Sequence, residues 1–436
     1  MVTVIRIVLM PLGLMVAFFG IGLDFLLPGA SPGLNLPQLL IILAGLGISV
    51  VAYKLRRPAF RRRLKAGSRR SMISAALVTV ITLLALELLL TVTGMSVYFE
   101  RYERNYDFHL GGRQFCDAAG CRWNYEIVRD SCARGELSGR YCVANQQGYA
   151  DDEDFVAGAD SADRTRVLAL GDSFTQGFSA EVGHSFVETF EARHPDVVVW
   201  NAGFSGSGTN QAVATFESLA PILRPDLTIL GFYGNDFIDN LLPFQSMYEV
   251  EDPRGRQVYV RPFRFDAVDN VVPIDEATAI YLATHGVHPP ENEIARLLGS
   301  ARLGTLLLRL RDSIVEIGKA DRRLARGVES TREYLRRLRE LAASHDSALL
   351  VMLIPSLVDH LSATSEHYLT AIDLMEELGL SYIDLTDVVP NEGFAPLPDT
   401  HWNSEGHQKV GALLSDCLQV FIASGNLGDC EHVVMP

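Results

Sequence analysis

The pattern of hydrophobic and polar positions changes character along the chain. Up to about residue 95 the apolar residues come in three long blocks, at about 7–27, 36–53 and 72–95. Each is close to the ~20 residues that a helix needs to cross a bilayer. The pattern therefore predicts a transmembrane region over residues 1–95 with three helices. A cleaved signal peptide is the alternative for the first block. That block is long for a signal-peptide core, and no small-x-small site follows it cleanly.

Beyond residue 165 the apolar runs are short and alternate with amphipathic stretches. "RVLALG" (166–171), "VVVW" (197–200), "LTILGFY" (227–233), "SALLVMLIP" (347–355) and "SYIDL" (381–385) read as strands. Residues 184–194, 211–223, 366–379 and 404–421 read as helices between and after them. Apolar strands alternating with helices predict an α/β domain, over 165–425, whose parallel sheet is covered on both faces. An insertion at 242–325 breaks the rhythm. Within it "MYEVEDPRGRQVYV" predicts a hairpin turning at Pro-Arg-Gly. Residues 293–317 predict a helix with a broad apolar stripe, either packed on the core, closing over a site as a lid, or lying on a membrane.

Two segments flank that domain. Residues 96–164 form a Cys-containing juxtamembrane segment and linker. Tyr98, Phe99, Tyr102, Tyr106 and Phe108 there suit an interfacial aromatic belt or a small core. The polar stretch after them, ending in "DDEDFVAGADSAD", predicts a loose linker. Residues 426–436 form a C-terminal tail.

Charge assigns sides to these parts. Residues 54–70 hold nine basic residues and no acid, which keeps this loop in the cytoplasm by the positive-inside rule. The third helix then runs outward and the rest of the chain lies outside the cytoplasmic membrane. Residues 1–95 carry ten Lys/Arg against two Asp/Glu, net +8, and the remainder 28 against 51, net −23. An exported domain this acidic excludes nucleic acid as a partner. Only four of the basic residues are lysine, a composition typical of GC-rich bacterial genomes. Glu87 stands in the middle of the third block, where an acid is costly. It pairs with another chain or is protonated.

All six cysteines follow the third block: Cys116, Cys121, Cys132, Cys142, Cys417 and Cys430. An even count in an exported segment points to disulfides. Metal binding is the rival for the first four, but they have no CxxC spacing and no histidine among them. Cys417 and Cys430 would staple the tail, while pairing among the first four stays open. No metal and no organic cofactor is implied.

The candidate chemistry sits where predicted strands end. Ser173, in "VLALGDSFTQG", follows the first strand and opens a helix, at the sheet edge where open parallel sheets bind ligands. A serine there is also a common helix cap. "NAGFSGSGTNQ" follows the second strand, and its glycines let a backbone N–H approach a substrate. Asn235, in "FYGNDFIDN", follows the third and could donate to a developing negative charge, or simply cap a helix. "LPDTHWNSEGH" precedes the last helix and holds Asp399 and His401, a carboxylate and imidazole spaced for an oriented general base. Asn403 or Ser404 would cap that helix. Gly29-Ala-Ser-Pro-Gly33 matches the G-x-S-x-G elbow, but it joins two apolar blocks with no strand before it.

Four weak signals in this order resemble the SGNH (GDSL-type) hydrolase superfamily, in a membrane-anchored bacterial form. They are Ser173 in "GDSFTQG", Gly206 in "GFSGSG", Asn235 in "GND" and His401 in "DTHWN". Two positions depart from the commonest pattern: Asp399 stands two residues before His401 rather than three, and Phe174 replaces leucine. Gly203 and Gly208 compete with Gly206 for the second block.

The resemblance implies a three-layer α/β/α sandwich with a flavodoxin-like sheet. It implies Ser173 as nucleophile, His401 as general base and Asp399 as its orienting carboxylate. The amides of Ser173 and Gly206 and the side chain of Asn235 would form the oxyanion hole. The expected activity is that of a membrane-anchored serine esterase, acting outside the cytoplasm on acyl esters of a glycan, lipid or small molecule. One alternative is an O-acyltransferase in envelope glycan modification, fed by a membrane acyl-donor protein. The other is a non-catalytic glycan-binding envelope protein.

Overall fold

In the computed structural model of the chain, the described residues are 53, 114–156, 164–243, 248–251, 257–266, 270–285, 320–357, 366–395, 400–424 and 427. Tyr53 apart, they fall in one compact unit within 103–289 and 312–436. The three apolar blocks, the basic loop, Glu87, the aromatic cluster at 98–108 and the 293–317 stretch lie outside the described residues, save Tyr53. No helix among the described residues is long and apolar enough to cross a membrane.

The described elements follow in chain order. A short hairpin of β1 (Gln114–Asp117) and β2 (Gly120–Trp123) leads into α1 (Tyr125–Ala133). Then come β3 (Thr165–Leu170), α2 (Ser173–Gln176), α3 (Phe186–Ala192), β4 (Val197–Asn201), α4 (Thr209–Leu223), β5 (Leu227–Tyr233) and α5 (Asp236–Asp239). The insertion contributes β6 (Tyr248–Glu251), β7 (Gln257–Val260), β8 (Phe263–Phe265), β9 (Val271–Pro273) and α6 (Glu276–His285). The chain ends through α7 (Ala320–Ser344), β10 (Ala348–Ile354), α8 (Glu366–Leu378), β11 (Ser381–Asp384) and α9 (Ser404–Ser424).

Five strands form one parallel sheet in the order β11-β10-β5-β3-β4. The expected strands are all there. Read from the other edge the order is 2-1-3-4-5, the flavodoxin-like arrangement, whose switch point lies between β3 and β5. Strand alternation splits the apolar residues between two faces. Leu168, Leu170, Leu230 and Phe232 pack with Phe216 of α4, Leu335 and Leu338 of α7 and Leu374 of α8. Val167, Ala169, Leu227 and Ile229 pack with Phe186 and Phe190 of α3 and Val410 and Leu414 of α9. Helices thus cover both faces. Gly411 of α9 approaches α3 so closely that a Cβ there would meet the Phe186 carbonyl at 2.7 Å.

The hairpin expected in the insertion forms between β6 and β7, and a second pairs β8 with β9. Residues 114–156 are a folded module rather than a loose linker. Cys116–Cys121 closes the first hairpin and Cys132–Cys142 ties α1 to the turn after it. Trp123 packs edge-on against Phe204, and Gln211 Nε2 donates to the Cys121 carbonyl at 2.9 Å. The Asn201 amide donates to Asp151 Oδ2 at 2.7 Å, joining the module to the end of β4. Cys417 is also disulfide-bonded, and Cys430 lies outside the described residues.

Candidate active site

The site is built at the carboxyl ends of β3 and β5, beside the switch point. After β3 the chain must turn sharply, and Gly171 with φ +147° makes the turn. A Cβ at 171 would collide with Thr175 Oγ1 and the Gly231 carbonyl. Asp172 rather than Ser173 caps the following turn, its side chain accepting from the Phe174 amide at 2.9 Å. Ser173 is therefore the first helical residue, and its hydroxyl is not occupied by capping. Gly177, with φ +82°, closes the turn.

Ser173 is 7% exposed, and its Oγ lies 2.7 Å from His401 Nε2. The two residues are 228 positions apart in sequence. A local frame holds the histidine. The His401 carbonyl accepts from Ala395 at 2.8 Å, and Phe394 bridges to Trp402. Asn403 caps α9, accepting from Glu405 and Gly406 at 2.9 and 3.1 Å. Ser404 Oγ instead accepts from the Glu181 amide at 3.0 Å. The imidazole stands between Phe174 and Phe178, with ring centroids 4.9 and 4.7 Å away. Phe174, the unexpected aromatic, also packs on Tyr233 at 4.8 Å and Trp402 at 5.0 Å. It forms a buried floor under the histidine, which a leucine would fill less completely. Asp399, the expected orienting carboxylate, lies outside the described residues.

The three candidate glycines after β4 differ in surroundings. A Cβ at Gly203 would run into the Gln176 amide, and one at Gly208 into Asn240 Oδ1. Close packing explains both. Gly206 is exposed with φ +77°, and it lines a cavity together with Asp239, Asn210, Arg261 and Phe263. Asn235 is exposed at the start of α5, and its Nδ2 donates to Asp239 Oδ2 at 2.9 Å.

Three buried carboxyls surround these groups, which the sequence did not single out. Burial pushes Asp172 well above the ordinary carboxylate range, against the pull of the Phe174 amide and of His401. Burial likewise raises Asp236, with Asp172 and Asp239 adding to it, although Thr209 Oγ1 donates to Asp236 Oδ2 at 3.1 Å. Asp239 is raised by burial and drawn back by Arg261, whose Nη1 lies 3.5 Å from Asp239 Oδ1. The acids are visible in "GDS" and "GNDFID", but their burial is a tertiary property. Among the described residues, no group of three or more His, Cys, Asp or Glu side chains is placed to hold a metal ion.

The arrangement places a hydroxyl against an imidazole at the rim of a parallel sheet, which suits acyl transfer to serine. Several solved structures match the chain. The psychrotrophic esterase EstA from Pseudoalteromonas matches with 11% identity over 60% of this chain and 100% of its own, TM-score 0.34. The family 3 carbohydrate esterase of Clostridium thermocellum matches with 10% identity over 60% and 100%, TM-score 0.34. A lipase/acylhydrolase from Enterococcus faecalis matches with 15% identity over 58% and 94%, TM-score 0.32. No curated protein sequence matches the chain. Residues 169–409, more than half of the sequence and the stretch that holds both Ser173 and His401, match the GDSL-like lipase/acylhydrolase family, and the chain belongs to it.

Proposed function

We propose that the protein is a membrane-anchored serine esterase that cleaves acyl esters on the outer side of the cytoplasmic membrane. The observation that carries this reading is the 2.7 Å approach of Ser173 Oγ to His401 Nε2. The hydroxyl donates its proton to Nε2 as the oxygen attacks the ester carbonyl. The tetrahedral oxyanion is received by the amides of Ser173 and Gly206 and by the Asn235 side chain. Collapse returns the proton from Nε2 to the departing alcohol and leaves an acyl-serine. Water, deprotonated by the same imidazole, then releases the acid. Asp399, two residues before the histidine, holds the ring in the tautomer that leaves Nε2 unprotonated.

The substrates this chemistry fits are acyl esters of glycans, lipids or small molecules. The three apolar blocks and the basic loop between the second and third support the anchor and its orientation. The disulfides Cys116–Cys121 and Cys132–Cys142 support an oxidising compartment.

A fluorophosphonate probe should label the full-length protein at Ser173, and Ser173→Ala should abolish labelling and ester turnover together. A folded wild type that takes up no probe and cleaves no short acyl ester would defeat the proposal.

One observation favours acyl transfer to a glycan as a second reading. Residues of the insertion, Arg261 to Phe263, line a cavity with Gly206, the proposed oxyanion donor, and this cavity could receive an acceptor. Comparing acyl groups moved to a saccharide with those released to water separates the two. Release to water with every acceptor would remove transfer.

A further inference from the structure

The insertion reaches the oxyanion side of the site through one buried carboxylate. Asn235 Nδ2 donates to Asp239 Oδ2 at 2.9 Å. On its other oxygen Asp239 faces Arg261 Nη1 at 3.5 Å, from the link between β7 and β8. The Asp239 side chain is 9% exposed and that of Arg261 37%. Asp239 is thus buried between an amide it orients and a cation that offsets its charge. The neighbouring acid, Asp236, accepts from Thr209.

A side-chain amide carries two N–H donors. Fixing one on Asp239 directs the other, and it also decides which end of the amide is nitrogen. An unheld amide could present its oxygen to a developing oxyanion, which would repel it. The carboxylate in turn needs a partner, because a buried unpaired charge is costly. Arg261 supplies it from outside the sheet. Asp239, Arg261 and Gly206 also line the same cavity.

We infer that Asp239 is a positioning residue for Asn235, and that Arg261 holds Asp239 in place, so that the insertion sets the geometry of the oxyanion hole. The inference rests on Asn235 acting as an oxyanion donor, as proposed above.

The test is steady-state hydrolysis of a short p-nitrophenyl ester by the full-length protein. Asn235→Ala should lower kcat by about 10²–10³. Asp239→Ala should lower kcat about tenfold or more with KM within about twofold, because a misdirected donor weakens the transition state and not the ground state. In the Asn235→Ala background the same substitution should cost almost nothing further. Asp239→Asn keeps one oxygen acceptor and the side chain's volume. Its smaller loss should likewise vanish in that background, which covers the case of an Asp239→Ala chain that does not fold. Arg261→Gln should lower kcat by a smaller factor, and Arg261→Lys should recover part of it.

If the Asp239 substitutions cost the same factor in both backgrounds, Asp239 is a structural residue only, and the inference fails while the oxyanion reading stands. A rise in KM with kcat intact has the same meaning. If Asn235→Ala is as active as wild type, the oxyanion reading itself falls and takes the inference with it.

Discussion

At the scale of single residues, the site depends on which side chains are spared other duties. Asp172 takes the capping role and leaves Ser173 to face His401. Phe174 turns inward at 1% exposure and supports the imidazole face. Phe174→Leu should lower the melting temperature, at a cost on the order of 1 kcal/mol. It should also reduce kcat more than it changes KM, since it loosens His401, the proposed base, and not the binding surface. Equal kcat in both proteins would show that the histidine does not depend on the Phe174 ring. Glu191 offers a check on charge. Burial raises it from 4.5 to about 7, although it accepts from the Val199 amide at 3.0 Å. The folded state keeps this proton to a higher pH than the unfolded chain does. The resulting stabilisation is complete below 4.5 and is lost as pH rises through about 7. Glu191→Gln keeps an acceptor for Val199 and cannot ionise. Its melting temperature should gain on wild type between pH 5 and pH 9, and parallel curves would refute the assignment.

At the scale of elements, the disulfide-bonded module and α7 show where local patterns mislead. The five strands were legible because their apolar runs are bounded by polar turns and helical periodicity. The helix α7 was not, because Leu324, Leu335, Leu338 and Ala342 form its buried stripe within a run dense in arginine and glutamate. The module at 114–156 carries no such signature, because its order comes from cross-links and from residues distant in sequence, Phe204 and Gln211 among them. Ser173 and His401 could be singled out by their place after or before an element; the burial of Asp172, Asp236 and Asp239 could not. The module also reaches the site. Arg140, in the turn ended by Cys142, donates to the Glu181 carbonyl at 2.8 Å and pairs with Glu188 of α3. That grip holds the loop carrying Phe178 against His401. Arg140→Ala removes the cation from Glu188, which keeps the Gly183 and Ser185 amides, and should cost about 1–3 kcal/mol. Reduction of Cys132–Cys142, or the double serine variant, should lower both melting temperature and kcat. Full activity in a reduced, folded enzyme would disconnect the module from the histidine.

At the scale of the whole molecule, the sheet order brings the ends of β3 and β5 side by side, and the loop before α9 returns to the same rim. The proposed anchor precedes all of this in sequence. The full-length protein should stay in the membrane pellet after an alkaline carbonate wash. Protease added to spheroplasts should reach the acidic domain and spare the basic loop. Recovery as a soluble protein would remove the anchor from the proposal. The 228-residue gap between Ser173 and His401, the proposed nucleophile and base, has a biosynthetic consequence. The strand bearing the serine leaves the ribosome long before the loop bearing the histidine. Until α9 settles onto α3, the nascent chain carries a serine with no base beside it. The enzyme is in effect silent during its own synthesis, and a chain clipped before α9 would stay so.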